Sequence, residues 1–490
     1  MIHFQDIQFR YEGTISSEIG VKDINLIVHT GECVLLCGRS GCGKTTLTKL
    51  INGLIPNYFP GELSGNVQID DENILGMPMY YLATKVGSVF QNPRTQFFNV
   101  DVDSEIAFGI ENIAVPPDEL HQRLEYTLDS LKIRNLQGKN IFELSGGEKQ
   151  KIAFASVYAM NPDIFLLDEP SSNLDGDSIR DLKNYLRILK QQGKTILIAE
   201  HRLYYLLDIA DRIVYLADGK IEKIYTPQEF RSLSGATRKH MGLRTTDIQD
   251  VHPISYQRTF SQPILTVKDM SLFYKKHPVL EHISLQASKG DIIGVVGPNG
   301  AGKTTFLRTL CGLHKEFTGC LYWREQPQKE TERMKRSYMV MQDVNYELFA
   351  DSVEAECSFG IQGSSPELVE KTLDELGLLT VRDRHPNTLS GGQKQRVAVA
   401  VSMICGKEVL VFDEPTSGLD YDSMEQVSGL IRKLSKDKVI FVVTHDYEFV
   451  CQTCTRLIRF DHHTMTNDIL LSQENEATIL SFMGLGRDER

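Results

Sequence analysis

Long hydrophobic runs are missing from this 490-residue chain. Its most apolar stretches, such as Val439–Val443 and Ile164–Leu167, have the length of a strand, and none approaches the roughly 18 residues that a membrane span needs. No transmembrane segment of its own is therefore expected. The opening residues, Met1-Ile-His-Phe-Gln-Asp, hold no basic region followed by an apolar block, so no secretory leader is expected either. Basic residues are outnumbered, 53 Lys and Arg against 65 Asp and Glu for a net charge of −12, which argues against a protein built chiefly to hold nucleic acid. Cysteine is sparse and odd in number, nine scattered along the chain. That reads as reduced thiols in a cytosolic protein rather than a disulfide framework. Cys451-Gln-Thr-Cys454 has C-x-x-C spacing, but no second Cys or His pair at zinc spacing accompanies it; buried small residues are the alternative to a metal or redox site. What remains is ordinary globular usage, 41% hydrophobic and 24% charged, with length for roughly two to four domains.

What the chain does have is a repeat about half its length. Gly38-Arg39-Ser40-Gly41-Cys42-Gly43-Lys44-Thr45-Thr46 recurs as Gly297-Pro298-Asn299-Gly300-Ala301-Gly302-Lys303-Thr304-Thr305. Leu144-Ser145-Gly146-Gly147-Glu148-Lys149-Gln150-Lys151 recurs as Leu389-Ser390-Gly391-Gly392-Gln393-Lys394-Gln395-Arg396, and Leu166-Leu167-Asp168-Glu169-Pro170 as Val411-Phe412-Asp413-Glu414-Pro415. The copies lie 259 residues apart at the first motif and 245 at the other two, so the first carries 14 more residues between its first two motifs. This is a tandem duplication. Periodicity fades into polar residues near 226–263, which divides the chain into a first domain 1–225, a linker 226–263, a second domain 264–472 and a polar tail 473–490. Within each copy, short apolar runs enter glycine-rich turns and then helix-like segments. Glu32–Gly38 reads as a buried strand and Lys44 to about Asn52 as the following helix, which implies an α/β domain with a largely parallel sheet.

The first motif is G-x-x-x-x-G-K-T, twice, each time after a strand-like run. Its glycines let backbone N–H groups curl around phosphate oxygens where a side chain would block approach, and the next helix adds its N-terminal dipole. Lys44 and Lys303 would place a charge on the β/γ-phosphates and Thr45 and Thr304 a hydroxyl on Mg²⁺. Downstream, Ile164–Glu169 and Val409–Glu414 are apolar runs that end in paired carboxylates, placing charge at the carboxyl edge of a sheet, where α/β ligands bind. There Asp168 and Asp413 suit the Mg²⁺ shell, and Glu169 and Glu414 can polarise an attacking water.

The motif Leu-Ser-Gly-Gly-[Glu/Gln]-Lys-Gln-[Lys/Arg], whose serine stands 23 residues before the strand-end aspartate in both copies, resembles the signature of ABC ATPases. Gln91 in Val-Phe-Gln-Asn-Pro and Gln342 in Val-Met-Gln-Asp resemble the Q-loops of that family, Ser171–Asp175 and Thr416–Asp420 its D-loops, and His201 and His445 its switch histidines. The resemblance covers nearly the whole chain, twice. It implies two P-loop ATPase domains, each with a mostly parallel core sheet, an antiparallel β-subdomain and a helical signature subdomain. It further implies that ATP and Mg²⁺ are bound and ATP is hydrolysed, with Thr45, Gln91 and Asp168, and likewise Thr304, Gln342 and Asp413, around the metal. In such proteins Ser145, Gly146 and Gly147, and Ser390, Gly391 and Gly392, meet the γ-phosphate held by the opposite domain, so the resemblance implies two composite sites. Tyr11 and Tyr274 sit where the family stacks an aromatic on adenine, with core packing as the alternative. Lys151 stands where the second copy has Arg396, which keeps the charge but not the forked geometry, and Asn173 replaces the usual D-loop glycine.

Translation-factor ABC proteins share the tandem design but carry a long charged helical linker, and iron–sulfur ABC proteins need an N-terminal cysteine cluster. Fused sugar-import ATPases commonly have one degraded half. Ile55–Val67, Phe90–Phe98, Val102–Asn112 and Val353–Gly360 resemble instead the fused ATPase of energy-coupling factor (ECF) importers. That resemblance implies a place on the cytoplasmic face of the cell membrane and, as partners, a transmembrane T-component and a small substrate-binding membrane subunit, with a vitamin or metal ion as solute. An arginine of the T-component would meet the recurring carboxylates Asp103/Glu354 and Glu105/Glu356, for which a solvated helix surface is the alternative. The ATPase of another importer class, such as one for sugars or peptides, or a soluble ABC protein, is the other reading.

Overall fold

The computed structural model describes residues 1–12, 20–255, 262–361 and 364–486, and the chain divides into two compact units, Met1–Asp247 and Ile248–Arg490. In the first unit the strands are β1 (Ile2–Tyr11), β2 (Val21–Val28), β3 (Cys33–Gly38), β4 (Gly61–Ile69), β5 (Glu72–Asn73), β6 (Val86–Val89), β7 (Ile164–Asp168), β8 (Thr195–Ala199), β9 (Arg212–Ala217) and β10 (Lys220–Tyr225). They form an antiparallel sheet in the order β2-β1-β4-β5 and a core sheet in the order β10-β9-β3-β8-β7-β6. In the core sheet all neighbours run parallel except β10, which pairs antiparallel with β9 at the edge.

Burial patterns explain the two sheets. Along β1 buried and partly exposed residues alternate, as in a sheet with one wet face, whereas β3 is buried throughout. Alternate residues of the core strands enter different cores. Leu35, Cys37, Phe165, Leu167, Ile196 and Ile198 pack with the helices, while Val34, Leu36, Ile164, Leu166, Leu197 and Ala199 pack with the antiparallel sheet. Between β6 and β7 the chain leaves the sheet for three helices, Val102–Asn112, Pro117–Ser130 and Gly146–Met160.

The second unit repeats this plan with β11 (Leu265–Tyr274), β12 (His277–Ala287), β13 (Ile292–Val296), β14 (Phe317–Trp323), β15 (Gln326–Pro327), β16 (Ser337–Val340), β17 (Val409–Asp413), β18 (Val439–Val443), β19 (Arg456–Asp461) and β20 (Thr464–Leu470). Its sheets are β12-β11-β14-β15 and β16-β17-β18-β13-β19-β20, with helices Val353–Ser358, Pro366–Glu375 and Gly391–Ile404 between β16 and β17. The α/β architecture read from the motifs is the one observed.

The division at Asp247/Ile248 falls inside the stretch 226–263. Residues 226–247 fold with the first unit: Phe230 is fully buried in the helix Pro227–Arg231, and Arg39 Nη2 donates to His240 O at 2.8 Å. Residues 248–255 fold with the second unit, where Tyr447 Oη donates to Val251 O at 3.1 Å; 256–261 lie outside the described residues. In the stretch 473–490, the helix Glu476–Phe482 buries Ile479 against the second unit's core, and 487–490 lie outside the described residues.

Candidate nucleotide site in each unit

Each site begins where a buried core strand ends. A Cβ at Gly38 would stand 2.2 Å from Leu216 O, and one at Gly297 2.1 Å from Phe460 O, so only glycine lets these turns lie against the neighbouring strand. Gly43 and Gly302 open the following helices at φ 105° and 89°, in the left-handed region. Gly41 and Gly300 differ: around the place of their missing Cβ nothing lies within 4 Å. The loop is therefore packed at its two ends and open in its middle. Lys44 Nζ donates to Gly38 O and Arg39 O, both at 3.1 Å, and Lys303 Nζ to Gly297 O at 2.7 Å and Pro298 O at 2.9 Å. Each buried ammonium thus lies inside its own loop, held by carbonyls.

Carboxylates reach the same place from the next strand but one. Thr45 Oγ1 donates to Asp168 Oδ1 at 3.1 Å, and Thr304 Oγ1 to Asp413 Oδ2 at 2.9 Å. Burial, with Glu169 beside it, pushes the Asp168 carboxyl up to about 6, and burial raises Asp413 as well. Glu169 continues the ladder for one bond, its N–H donating to Ala199 O at 2.8 Å, and then turns at φ 45°. Glu414 does likewise, donating to Val443 O at 2.9 Å with φ 53°. A non-glycine residue in this region is strained by about 1–3 kcal/mol, a cost usually met at functional positions. Gln91 Nε2 donates to Glu169 Oε2 at 2.7 Å. His201 Nε2 lies 3.4 Å from Glu169 Oε1, and His445 Nε2 lies 3.6 Å from Glu414 Oε1.

A hydroxyl, an amide oxygen and two carboxylates form a hard oxygen set of the kind Mg²⁺ prefers. The open middle of each glycine loop, its lysine and the helix N-terminus behind it suit a polyphosphate. The buried His201 Nε2 makes no hydrogen bond among the described residues, which leaves that ring nitrogen available to a bound phosphate. A bound magnesium ion would favour the ionised Asp168 that burial and the neighbouring Glu169 now disfavour. Such an arrangement can hold the phosphate chain, keep a carboxylate beside the terminal phosphate to take a proton from water, and offer an imidazole to the same group.

Residues 21–172 and 280–417 match the family described as ABC transporter. The chain belongs to the ABC transporter family. A Treponema denticola protein, provisionally named an ABC transporter ATP-binding protein, is 49% identical over 97% of this chain and 98% of its own length. A Bacillus subtilis protein provisionally named the HMP/thiamine import ATP-binding protein YkoD is 31% identical over 92% of this chain and 88% of its own. An archaeal ribosome recycling factor, aABCE1, superposes with a TM-score of 0.65 over 98% of this chain and 92% of that one at 24% identity, a likeness of fold. This ABC protein is thus an ATPase that works with Mg-ATP. Among its described residues no helix is long and apolar enough to cross a membrane.

Around the two ABC sites the remaining candidates are placed unevenly. Tyr11 donates or accepts at 3.1 Å with Thr46 Oγ1, its ring edge-on to Phe9 and Phe59 at 4.8 and 6.4 Å, whereas Tyr274 is 60% exposed. Gln342 follows β16 as Gln91 follows β6. Ser145 and Ser390 start the signature helices, and their hydroxyls accept from Glu148 N and Gln393 N, both at 3.3 Å, as N-caps of their own helices. Asp175 and Asp420 at the ends of the D-loops cap the next helices in the same way. Cys451 and Cys454 are fully buried; burial pushes Cys451 up to about 12 and Cys454 higher still, so both stay thiols.

The docking expectation needs correction at Glu105 and Glu356. These side chains are 2% and 5% exposed. Glu105 Oε2 accepts from Phe98 N at 3.0 Å and Asn99 N at 2.8 Å; Glu356 Oε2 accepts from Phe349 N and Ala350 N, each at 2.7 Å. A buried carboxylate is held where N–H donors neutralise it, so these residues pin the loop after each Q-loop instead of meeting a partner. Their recurrence in both copies was visible in sequence; their direction was not. The loops they pin carry Phe98, 75% exposed and stacked on Phe108 at 4.9 Å, and Phe349, 72% exposed. Reading from sequence passed over these aromatics, which only burial distinguishes from core phenylalanines.

Proposed function

We propose that this chain energises an ECF-type importer of a vitamin or metal ion, at the cytoplasmic face of the membrane, with a transmembrane T-component and a small substrate-binding membrane subunit as partners. Glu169 and Glu414 are the bases that take a proton from the attacking water. Lys44 and Lys303 bind the β/γ-phosphates, and His201 and His445 the γ-phosphate. Thr45, Gln91 and Asp168, and Thr304, Gln342 and Asp413, hold Mg²⁺; Tyr11 and Tyr274 flank the base. Ser145 and Ser390, with Gly146, Gly147, Gly391 and Gly392 after them, are the remaining γ-phosphate contacts.

The observation that carries the importer reading is the exposed Phe98 and Phe349, each on a loop fixed from behind by a buried glutamate and each a few residues from a Q-loop glutamine. Large exposed aromatics held rigidly are an unusual surface for a lone protein and a good one for a partner's helix. The relative named for HMP/thiamine import supports the same class of solute. Co-expression with the membrane subunits tests it: Phe98→Asp with Phe349→Asp should abolish co-purification and uptake. A complex that survives both changes, or that assembles only with subunits of a sugar or peptide importer, would replace this reading.

A further inference from the structure

We propose that Glu200 in the first unit and Asp446 in the second are positioning residues that fasten the switch histidine to the D-loop of the same unit, through two different constructions. Glu200 precedes His201 and is buried. Its Oε1 accepts from His201 N at 2.7 Å and Arg202 N at 3.1 Å, and its Oε2 accepts from Ser171 N at 3.2 Å and Tyr205 Oη at 2.9 Å. Arg202, on the other side of the histidine, donates from Nη1 to Ser171 O and Leu174 O, each at 3.2 Å. Both neighbours of His201 therefore grip the D-loop, one by an N–H and the other by carbonyls. That loop begins directly after the catalytic pair, with Ser172 N donating to Glu169 O at 3.3 Å.

In the second unit the carboxylate has moved across the histidine. Thr444 stands where Glu200 does and Asp446 where Arg202 does. Asp446 Oδ2 accepts from Thr416 Oγ1 at 2.9 Å, and its Oδ1 accepts from Phe449 N at 3.2 Å. Four positions change together. A glutamate before the histidine comes with Tyr205, whose hydroxyl completes its set of donors, and with Ser171, of which it uses only the backbone. An aspartate after the histidine comes with Phe449, which needs no hydroxyl, and with Thr416, whose hydroxyl it does use. Two coherent sets reaching the same pair of loops point to the fastening itself as the property kept, because either set alone would serve to fill the space.

The consequence is that the D-loop and the switch histidine of one unit move together, so a displaced D-loop withdraws His201 from the γ-phosphate. Turnover and ATP binding of the full-length chain separate this from a packing role, and the assay does not depend on the importer reading. Glu200→Thr should lower kcat at least fivefold and leave the KM for ATP within twofold. Transplanting the second unit's set (Ser171→Thr, Glu200→Thr, Arg202→Asp and Tyr205→Phe together) should restore at least half of the native kcat. Native kcat in Glu200→Thr, with only the melting temperature lowered, overturns the proposal. So does a fourfold variant that turns over no faster than the single one.

Discussion

After Gln91, the side chain of Gln96 accepts from Phe90 N at 3.4 Å and donates to Ala153 O at 3.2 Å, tying the loop to the signature helix Gly146–Met160. At the matching place after Gln342, Glu347 Oε1 accepts from Met341 N at 2.6 Å, and its Oε2 is buried without a partner among the described residues. A second contrast lies on the signature helices. Lys151 forms an ion pair with Asp181 at 2.5 Å, whereas Arg396 donates to Gln426 Oε1 at 3.1 Å. Against these differences, the lysine, threonine, aspartate, glutamate and histidine of the two sites keep their types and nearly their distances. Where a group must meet phosphate, metal or water, chemistry fixes the residue. Where it must only fasten one loop to another, the partners can change, provided they change together.

The largest effect tests whether the units are equal in chemistry. Glu169→Gln and Glu414→Gln remove a carboxylate that can take a proton while leaving shape and hydrogen bonding nearly intact. General-base removal costs about 10²–10⁴ in rate, so the double variant should lose at least about a hundredfold in Mg²⁺-dependent phosphate release. Each single variant should lose more than half, by the same factor in both. If either one retains native turnover, its unit binds nucleotide without hydrolysing it, and the matching geometry of the two sites does not mean matching work.

Much of this was legible in the sequence because the chemistry there is local. The spacing within Gly38–Thr46, the apolar run into Asp168-Glu169 and the duplication are contiguous signals, and the strand–loop–helix they imply is found at Cys33–Ile51 and again at Ile292–Leu310. Residues that act across the fold were harder. Glu105 lies on an amphipathic helix and reads as a surface acid until its loop partners at Phe98 and Asn99 are placed beside it. Glu200 is one letter between an apolar run and His201; three of its four donors lie within five residues, and only the sheet brings it the fourth, Ser171 N. The stretch 226–247 reads as a linker because its helices are five and six residues long, too short for a periodic pattern, and a single Phe230 supplies much of their burial.

A pH series sharpens the contrast between Gln96 and Glu347. Burial, with Glu356 and Asp413 nearby, raises the Glu347 carboxyl from the usual 4.5 to about 7. Between those values the folded protein holds a proton that the unfolded chain has already lost. Stability therefore falls as pH rises through this window, and the loss is complete above pH 7. Glutamine does not titrate, so Glu347→Gln should melt close to the native chain at pH 4 and above it at pH 8, by about 1–3 kcal/mol in stability. The reciprocal Gln96→Glu should introduce the same pH dependence into the first unit. A melting difference that is flat from pH 4 to 8 would mean that Glu347 finds water or a donor when it ionises.

The smallest difference concerns charge at the start of the signature helices. In the first unit Glu148 Oε2 accepts from Ser145 N at 2.9 Å and from Ser145 Oγ at 2.8 Å; in the second the neutral Gln393 Oε1 accepts from Ser390 N at 3.0 Å. The reciprocal cap is present in both, so the charge and the added Ser145 hydroxyl bond distinguish them. An anion at a helix N-terminus contributes about 0.3–1 kcal/mol at low ionic strength. Glu148→Gln should lower the melting temperature by about 1–2 °C in a unit of this size, and Gln393→Glu should raise that of the second unit by a similar amount. Because the helix-end charges are partly exposed, about 1 M salt should erase both shifts. A shift that survives high salt would place its origin in hydrogen bonding rather than charge, and the glutamate of the first unit would then differ from the glutamine of the second in geometry as well.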